Sequence, residues 1–255
     1  TATQPISLLV GNAVGGSTAS GSIRMSSATL TSNGANIVIS NGSIVDPSVT
    51  DFTNNQSVGA SNQLEAQGIY LAGSAVIDAT GISTGGKILL NGTGLTSGSN
   101  YARGVQINGA GSIVKTNNAG TLTIFGDSGS IAGSTVNAGI LLSLGVVLST
   151  ATGDLTVTGK VRSTGGGSKV GLWFYDGTNS IYSTSGNIQL TGISSVSGNQ
   201  AIYSPSSTSY VGWSGPANTN GIATSVVTSG NIAIRGEDKG DNFGMDLTGI
   251  RVQTN

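Results

Sequence analysis

One stretch of the chain decides the fold: Gly120-Thr-Leu-Thr-Ile-Phe-Gly126, in which apolar and polar residues alternate between two glycines. A period of two places Leu122 and Ile124 on one face and Thr121 and Thr123 on the other, as in a strand with one buried face. The chain shows no run of apolar residues with the spacing of an amphipathic helix over three turns. The sequence therefore predicts an all-β protein.

The same unit recurs along the chain at a nearly constant interval. Further copies begin at Gly153, Gly186 and Gly230, with a looser copy at Gly86. Their first apolar residues are about 33 residues apart, apart from a longer last interval of about 44: Ile88, Leu122, Leu155, Ile188 and Ile232. A second strand with the pattern glycine, apolar, any residue, apolar precedes the units and begins at Gly68, Gly104, Gly139 and Gly171. Gly244 starts one more copy of it after the last unit, and a short third strand lies between the second strand and the unit.

A repeat of about 33 residues with three short strands is typical of a solenoid. It predicts a three-sided parallel β-helix of about seven coils, stacked about 4.8 Å apart into a rod about 35 Å long. We expect regular coils over residues 65–255, with a surface insertion near 200–220, and degenerate coils with an irregular loop over residues 1–64. Five Asn-Gly pairs are predicted to form sharp corners, because both residues tolerate positive φ: Asn33, Asn41, Asn91, Asn108 and Asn220.

Composition excludes several classes of function. The 255 residues include no His and no Cys, which removes His-based catalysis, disulfides, thiol nucleophiles and most transition-metal sites. Charged residues make up 8% of the chain and the net charge is −1. Nucleic acids and anionic membranes are bound through clustered Lys and Arg, so neither is an expected partner. No apolar run is long enough to insert into a membrane as a helix.

The residue pattern of the repeats resembles that of a known family. The segments GIYLAGSAVIDATGISTGGKILLNGTG from Gly68, GVQINGAGSIVKTNNAGTLTIFGDSG from Gly104 and GLWFYDGTNSIYSTSGNIQLTG from Gly171 are similar to repeats of large bacterial surface exoproteins. These are the filamentous haemagglutinins and related secreted adhesins, and the resemblance covers residues 65–255. It implies a right-handed β-helix that serves as an adhesin shaft at the bacterial cell surface or outside the cell. It also implies a host-cell or neighbouring-cell glycan or protein as partner, and no catalytic residue, cofactor or metal.

Aromatic residues cluster in the C-terminal half. In Leu172-Trp-Phe-Tyr175 the alternation predicts that Trp173 and Tyr175 face outward if Leu172 lies in the core. Tyr210 and Trp213 lie in the expected insertion. Exposed rings are suited to contacting sugars or a protein partner, so these four residues form a candidate contact surface. In the alternative interpretation, the insertion folds back and the rings bury one another.

Acidic and threonine-rich patterns suggest weaker alternatives. The stretch Glu237-Asp-Lys-Gly-Asp241, with Asp246 nearby, is either a calcium-binding loop or a solvated turn. Its spacing matches neither the EF-hand loop nor the Gly-Gly-x-Gly-x-Asp nonapeptide. The other acids are scattered, which favours a non-enzymatic protein over a glycosidase with paired carboxylates. Threonines beside Leu122 and Val157 suggest an ice-binding array, but Gln189 and Ala233 interrupt the file.

The ends of such a rod suggest two structural functions. A β-helix without a cap presents unpaired backbone groups at its terminal coils. We therefore expect the chain to act either as part of a longer covalent shaft or as a subunit that stacks end to end with copies of itself into a filament or matrix.

Overall fold

The computed structural model describes residues 6–10, 22–41, 57–58, 67–94, 101–129, 136–162, 164, 167–176, 178–195, 200–204, 209–211, 230–238, 244–247 and 250–252. In these ranges every regular element is a β-strand, and the strands pair in parallel within three sheets. Successive strands along the chain pass from one sheet to the next, and each pairs with its counterpart one coil away. This confirms the predicted three-sided parallel β-helix.

Each sheet contains one strand from each coil, in spatial order from the N-terminal to the C-terminal end. The strand order of sheet A is β1 (Ile6–Val10), β4 (Ile37–Asn41), β8 (Ile88–Thr93), β11 (Leu122–Asp127), β14 (Leu155–Val161), β17 (Ile188–Ser194) and β20 (Ile232–Asp238). A short eighth strand, β5 (Ser57–Val58), pairs with β8 outside this order. Sheet B consists of β2 (Ile23–Ser26), β6 (Gln67–Ala72), β9 (Arg103–Asn108), β12 (Val136–Ser143), β15 (Ser168–Asp176), β18 (Gln200–Tyr203) and β21 (Met245–Asp246). Sheet C consists of β3 (Thr29–Thr31), β7 (Val76–Asp78), β10 (Ile113–Lys115), β13 (Val147–Thr150), β16 (Asn179–Ser183), β19 (Ser209–Val211) and β22 (Ile250–Val252).

The register of sheet A matches the sequence repeat residue for residue. The five apolar positions that defined the interval are register partners from coil to coil: Ile88, Leu122, Leu155, Ile188 and Ile232. The longer last interval therefore leaves the pairing intact. Because equivalent residues stack directly, the interior consists of continuous files of aliphatic side chains.

The core is narrow but fully closed in the middle coils. Inward-facing residues of all three sheets form one cluster, and Leu122, Leu155 and Leu172 have no exposed surface. Burying one such side chain contributes about 1.5–3 kcal/mol, so stability accumulates with each stacked coil. Ile232 and Ile234 of the last sheet A strand are only partly buried against this cluster.

Glycines allow sheets A and B to approach at one corner. Near the ends of the sheet A strands, Gly126 and Gly159 are register partners, and they face the backbone of Gly139 and Gly171 near the starts of the sheet B strands. A Cβ atom on Gly126 would overlap the carbonyl oxygen of Gly139. The glycines that ended and began the sequence units are therefore required by backbone-to-backbone packing as well as by turns.

One of the Asn-Gly pairs predicted to form a corner lies inside a strand, because sheets A and B approach each other closely there. The Asn33–Gly34 pair forms a turn with positive φ at both residues, as predicted. Asn91 and Gly92 lie inside strand β8, where Gly92 meets the backbone of Gly104 in sheet B. Here glycine is selected by the close approach of a second strand and not by a turn.

The irregular regions of the chain retain the coil pattern where they are described. Strands β18 and β19 lie within the range 200–220 that was expected to form an insertion, and both pair in register with neighbouring coils. The additional residues of this coil therefore lie between Val211 and Ile232. In the N-terminal region, β2, β3 and β4 form a coil of their own, and β5 (Ser57–Val58) pairs with the end of β8.

Candidate binding surface on sheet B

The outer face of sheet B collects aromatic and polar residues that are far apart in the sequence. Tyr70, Gln106, Leu141, Trp173 and Tyr203 occupy one register position in five successive strands. They alternate with core residues along each strand, so they project away from the rod axis. The file brings together side chains from five coils, spaced about 4.8 Å from strand to strand.

The prediction that Trp173 is exposed is wrong. Trp173 does lie on the outer face, yet only 5% of its surface is accessible. It packs in a small second cluster with Ala138, Leu141 and Val170, and its ring lies 5.9 Å from that of Tyr203. Parallel stacking places a large neighbour on each side of Trp173, and these neighbours bury it.

Tyr175 lies at the edge of this cluster. Half of its surface is exposed, and its ring packs edge-on against Trp173 with centroids 5.2 Å apart. The backbone of Tyr210 belongs to strand β19 of sheet C, and its side chain and the whole of Trp213 lie outside the described residues. Of the four predicted contact residues, Trp173 and Tyr175 lie together on sheet B.

Arg103 forms the centre of a second group on the same face. Its Nη1 donates a hydrogen bond of 2.6 Å to Gln106 Oε1, which also accepts one from Gln67 Nε2 at 3.1 Å. The guanidinium lies 5.6 Å from the centre of the Tyr101 ring, within the range of a cation–π interaction. We call Tyr70, Tyr101, Arg103, Gln106 and Tyr175 the tyrosine–arginine platform.

The electrostatics of the platform are those of a partly desolvated cation. Burial lowers the pKa of Arg103, while Tyr70, Tyr101 and Tyr175 act in the opposite direction. Arginine nonetheless remains protonated because its ordinary pKa lies far above neutral pH. Arg103 Nε is buried and has no hydrogen-bond partner.

Two more cations lie on sheet B. Arg24 projects over the ring of Tyr70 at 5.2 Å, and burial lowers the pKa of Lys169. The ion pairs within the described part of the chain lie elsewhere, in sheets A and C: Lys115–Asp78, Arg162–Asp127 and Arg235–Glu237. The three ion pairs do not include Arg24, Arg103 or Lys169, which lie in strands β2, β9 and β15 of sheet B.

Carboxylates elsewhere have structural roles. Asp78 pairs with Lys115 at 3.0 Å, Asp127 pairs with Arg162 at 2.8 Å, and Asp154 accepts hydrogen bonds from the next coil. Glu237 of the suggested calcium loop pairs with Arg235 at 3.1 Å, and residues 239–243 lie outside the described ranges. Among the described residues, no group of three or more Asp or Glu side chains is arranged so that it could hold a metal ion.

The outer face of sheet A is chemically mixed. The register file that contains two of the predicted array threonines runs Leu89, Thr123, Thr156, Gln189 and Ala233. The residues expected to interrupt the array do stand in this file. It offers no continuous threonine ladder for an ice surface.

Sequence reasoning missed the platform although the repeat contained its signal. In the sheet B pattern of glycine, apolar, any residue, apolar, the third position is Tyr70, Gln106, Leu141 and Trp173 in successive copies. In a parallel β-helix, equivalent positions stack, so these residues had to share one face. Arg103 precedes the glycine of its copy, and only the fold shows that its side chain reaches Gln106.

The fold and this surface define a β-solenoid protein with aromatic residues and a partly buried arginine on the outer face of one sheet. No protein-family model matches the chain, and no significantly similar curated protein or solved structure was found. The described residues form no helix long and apolar enough to cross a bilayer.

Proposed function

We propose that this chain is a structural shaft of an extracellular bacterial adhesin or surface exoprotein, which mediates attachment to cell surfaces or between cells. The observation that carries the proposal is the in-register stack of coils, with one aliphatic core running through all three sheets. Such a stack extends along a single axis and holds any binding surface away from its point of anchorage. The resemblance of the repeats to those of filamentous haemagglutinin-like adhesins supports the same role.

Two features of the rod suit a mechanical role. The backbone hydrogen bonds between coils run along the rod axis, so bending or stretching must act on many of them together. Side-chain ladders add to them: Asn187 donates to Asp154 at 3.0 Å and accepts from Asn231 at 3.3 Å. The engagement of Asp78, Asp127 and Asp154 in ion pairs and ladders supports a non-enzymatic function.

Electron microscopy across a concentration series tests the shaft proposal. We expect monodisperse rods about 35 Å long at every concentration, since seven coils stack about 4.8 Å apart. Beads coated with the chain are expected to adhere to cells, whereas beads coated with unfolded chain do not. A compact particle, or coated beads that adhere no better than the control beads, would contradict the proposal.

A self-assembling filament subunit is the second candidate. It is favoured by the incomplete burial of the last described coil, in which Ile232 and Ile234 are partly buried and Met245 is 43% exposed. Another coil, from this chain or from a second copy, would cover this apolar surface. Fibres that lengthen with concentration in the same microscopy series would support this candidate over the single shaft.

A further inference from the structure

The platform combines a cation with neutral partners. Arg103 donates to the amide oxygen of Gln106 and lies beside the ring of Tyr101, and neither group carries a negative charge. Taking a cation out of water costs free energy unless an anion or several acceptors replace the lost solvent. Within the described residues no carboxylate does so, which leaves the charge available to an anionic ligand.

The same surface offers flat apolar area beside the charge. Tyr101 is 40% exposed and Tyr175 is 51% exposed, although most large apolar side chains of the described coils are buried. The ring of Tyr175 is held edge-on by the buried Trp173, so it is supported by a second ring. Tyrosine combines an apolar face with a hydroxyl group, and this combination suits sugar rings, which also have apolar faces and polar edges.

Two buried donors on this face lack acceptors. Arg103 Nε and Trp173 Nε1 make no hydrogen bond, whereas buried polar groups are normally paired. Both are N–H donors, so this face has donors to which the protein supplies no acceptor atoms. A carboxylate with adjacent hydroxyl groups supplies acceptors at high density.

We propose that the tyrosine–arginine platform binds an acidic saccharide, whose carboxylate pairs with Arg103 and whose sugar rings pack on Tyr101 and Tyr175. Gln106 holds the guanidinium in place and, through Gln67, links two neighbouring coils. The inference deepens the adhesin proposal, on which its biological setting rests, by assigning the class of ligand and the face of the rod.

A saccharide fits the surface better than a nucleic acid does. Nucleic acids need several phosphate contacts, and the platform contains one arginine within a chain of net charge −1. One carboxylate for one guanidinium, with the exposed rings of Tyr101 and Tyr175 on the same sheet, corresponds to a single acidic sugar and its neighbours.

Calorimetric titration of the full chain with two matched pairs of probes tests the proposal. The first pair is 3′-sialyllactose and lactose, and the second is tetragalacturonate and its methyl ester, which lacks only the charges. We expect at least one acidic probe to bind about tenfold or more tightly than its neutral counterpart, because a charge-assisted hydrogen bond contributes about this factor. Equal affinity within both pairs, or no binding of any probe up to about 10 mM, would overturn the proposal.

Variants locate the binding on the platform. Arg103→Gln is expected to reduce the affinity for the acidic probe about tenfold or more, to the level of its neutral counterpart, while Arg103→Lys retains part of it. Tyr175→Ala is expected to weaken both probes of the pair. The matched controls are Arg235→Gln on sheet A, where the side chain is 69% exposed, and Tyr182→Ala on sheet C. Controls that weaken binding as much as the platform variants would place the ligand elsewhere and refute the assignment.

A spectroscopic readout separates loss of binding from loss of folding. The chain contains two tryptophans, so Trp213→Phe leaves Trp173 as the sole indole beside the platform. Saturation with the acidic probe is expected to change the fluorescence emission of Trp173, because the probe packs on the neighbouring ring of Tyr175. Unchanged Trp173 emission at saturation would argue against this site. Rod formation is measured independently by microscopy, so rods that bind no saccharide would refute this inference and leave the shaft proposal standing.

Discussion

Individual residues in this fold are constrained mainly by neighbouring backbones. Glycines at the corner of sheets A and B lie where two strands approach too closely for any side chain. Other constraints are electrostatic: Asp78 and Lys115 are register partners on sheet C and form an ion pair across adjacent coils. Substitution at such positions therefore tests the coil-to-coil register directly.

Replacing Gly126 by alanine is expected to destabilise the protein by about 3 kcal/mol, because the new Cβ would overlap the backbone of Gly139, which cannot move without disturbing sheet B. Urea denaturation measures the change. Gly244→Ala is the control, since its nearest atom would be Asp238 Cβ at 3.9 Å, and it should change stability by less than about 1 kcal/mol. Similar effects for the two variants would contradict this account of the glycine columns.

Asp78 is expected to make stability depend on pH in the acidic range. Burial raises the pKa of Asp78, but hydrogen bonds from Thr80 and Lys115 outweigh burial and hold the pKa below its ordinary value of 3.8. The folded state therefore binds the proton more weakly than the unfolded state, and the resulting stability is present above the unfolded pKa and is lost as pH falls through the folded pKa.

The Asp78→Asn variant tests this expectation. It should be less stable than the parent at pH 7, by about 1 kcal/mol or less because the pair is partly exposed, and the difference should shrink toward pH 2. Denaturation at a series of pH values measures it. A difference that stays constant with pH would show that the loss has another origin.

Strands are held together by side-chain ladders as well as by backbone hydrogen bonds. The position before three successive sheet A strands carries Asp154, Asn187 and Asn231. The side-chain oxygens of Asp154 and Asn187 each accept the backbone N–H of the equivalent residue in the next coil. The ladder reinforces the backbone register at an exposed edge of the coil.

Placing a second carboxylate in the ladder should weaken it. In the parent protein, Asn187 Nδ2 donates a hydrogen bond to Asp154 at 3.0 Å. Asn187→Asp replaces this donor with a second negative charge about 3 Å from Asp154, and it should destabilise the protein by about 1 kcal/mol. Asn36→Asp is a matched control, because it occupies the same ladder position but has Lys87 in the next coil. Thermal denaturation at low and high salt should show a salt-sensitive loss for Asn187→Asp alone; equal losses for both variants would argue against charge repulsion.

At the scale of the whole molecule, stability comes from stacking. Each coil buries little by itself, and the middle coils are closed because neighbours cover them on both sides. The cost of a cavity should therefore depend on the position of a coil in the stack.

The register partners Ile188 and Ile232 provide the comparison. Ile188 is 1% exposed in an inner coil, whereas Ile232 is only partly buried. Ile188→Ala should lower the free energy of unfolding by about 2–5 kcal/mol, and Ile232→Ala should lower it by about half of that or less. Equilibrium unfolding measures both values, and equal losses would show that the last described coil is covered as fully as the inner ones.

The sequence by itself determined the class of fold, the three strands per coil and the residues that stack in sheet A. It could do so because a parallel β-helix superposes equivalent positions, so that a period in sequence becomes a column in space. Alternation around Leu122 and Leu172 also identified which side chains enter the core. The handedness taken from the family resemblance stays a prediction.

Only the tertiary structure decided what happens on the outer faces. Outward residues are buried or exposed according to their neighbours in adjacent coils, and for this reason Trp173 is covered and Tyr175 is not. Gly92 belongs to a strand because sheet B approaches it, which no local pattern reveals. Tyr70, Arg103 and Tyr175 come from three separate coils, and they lie on one sheet because stacking places residues more than thirty positions apart in the chain on strands of the same sheet.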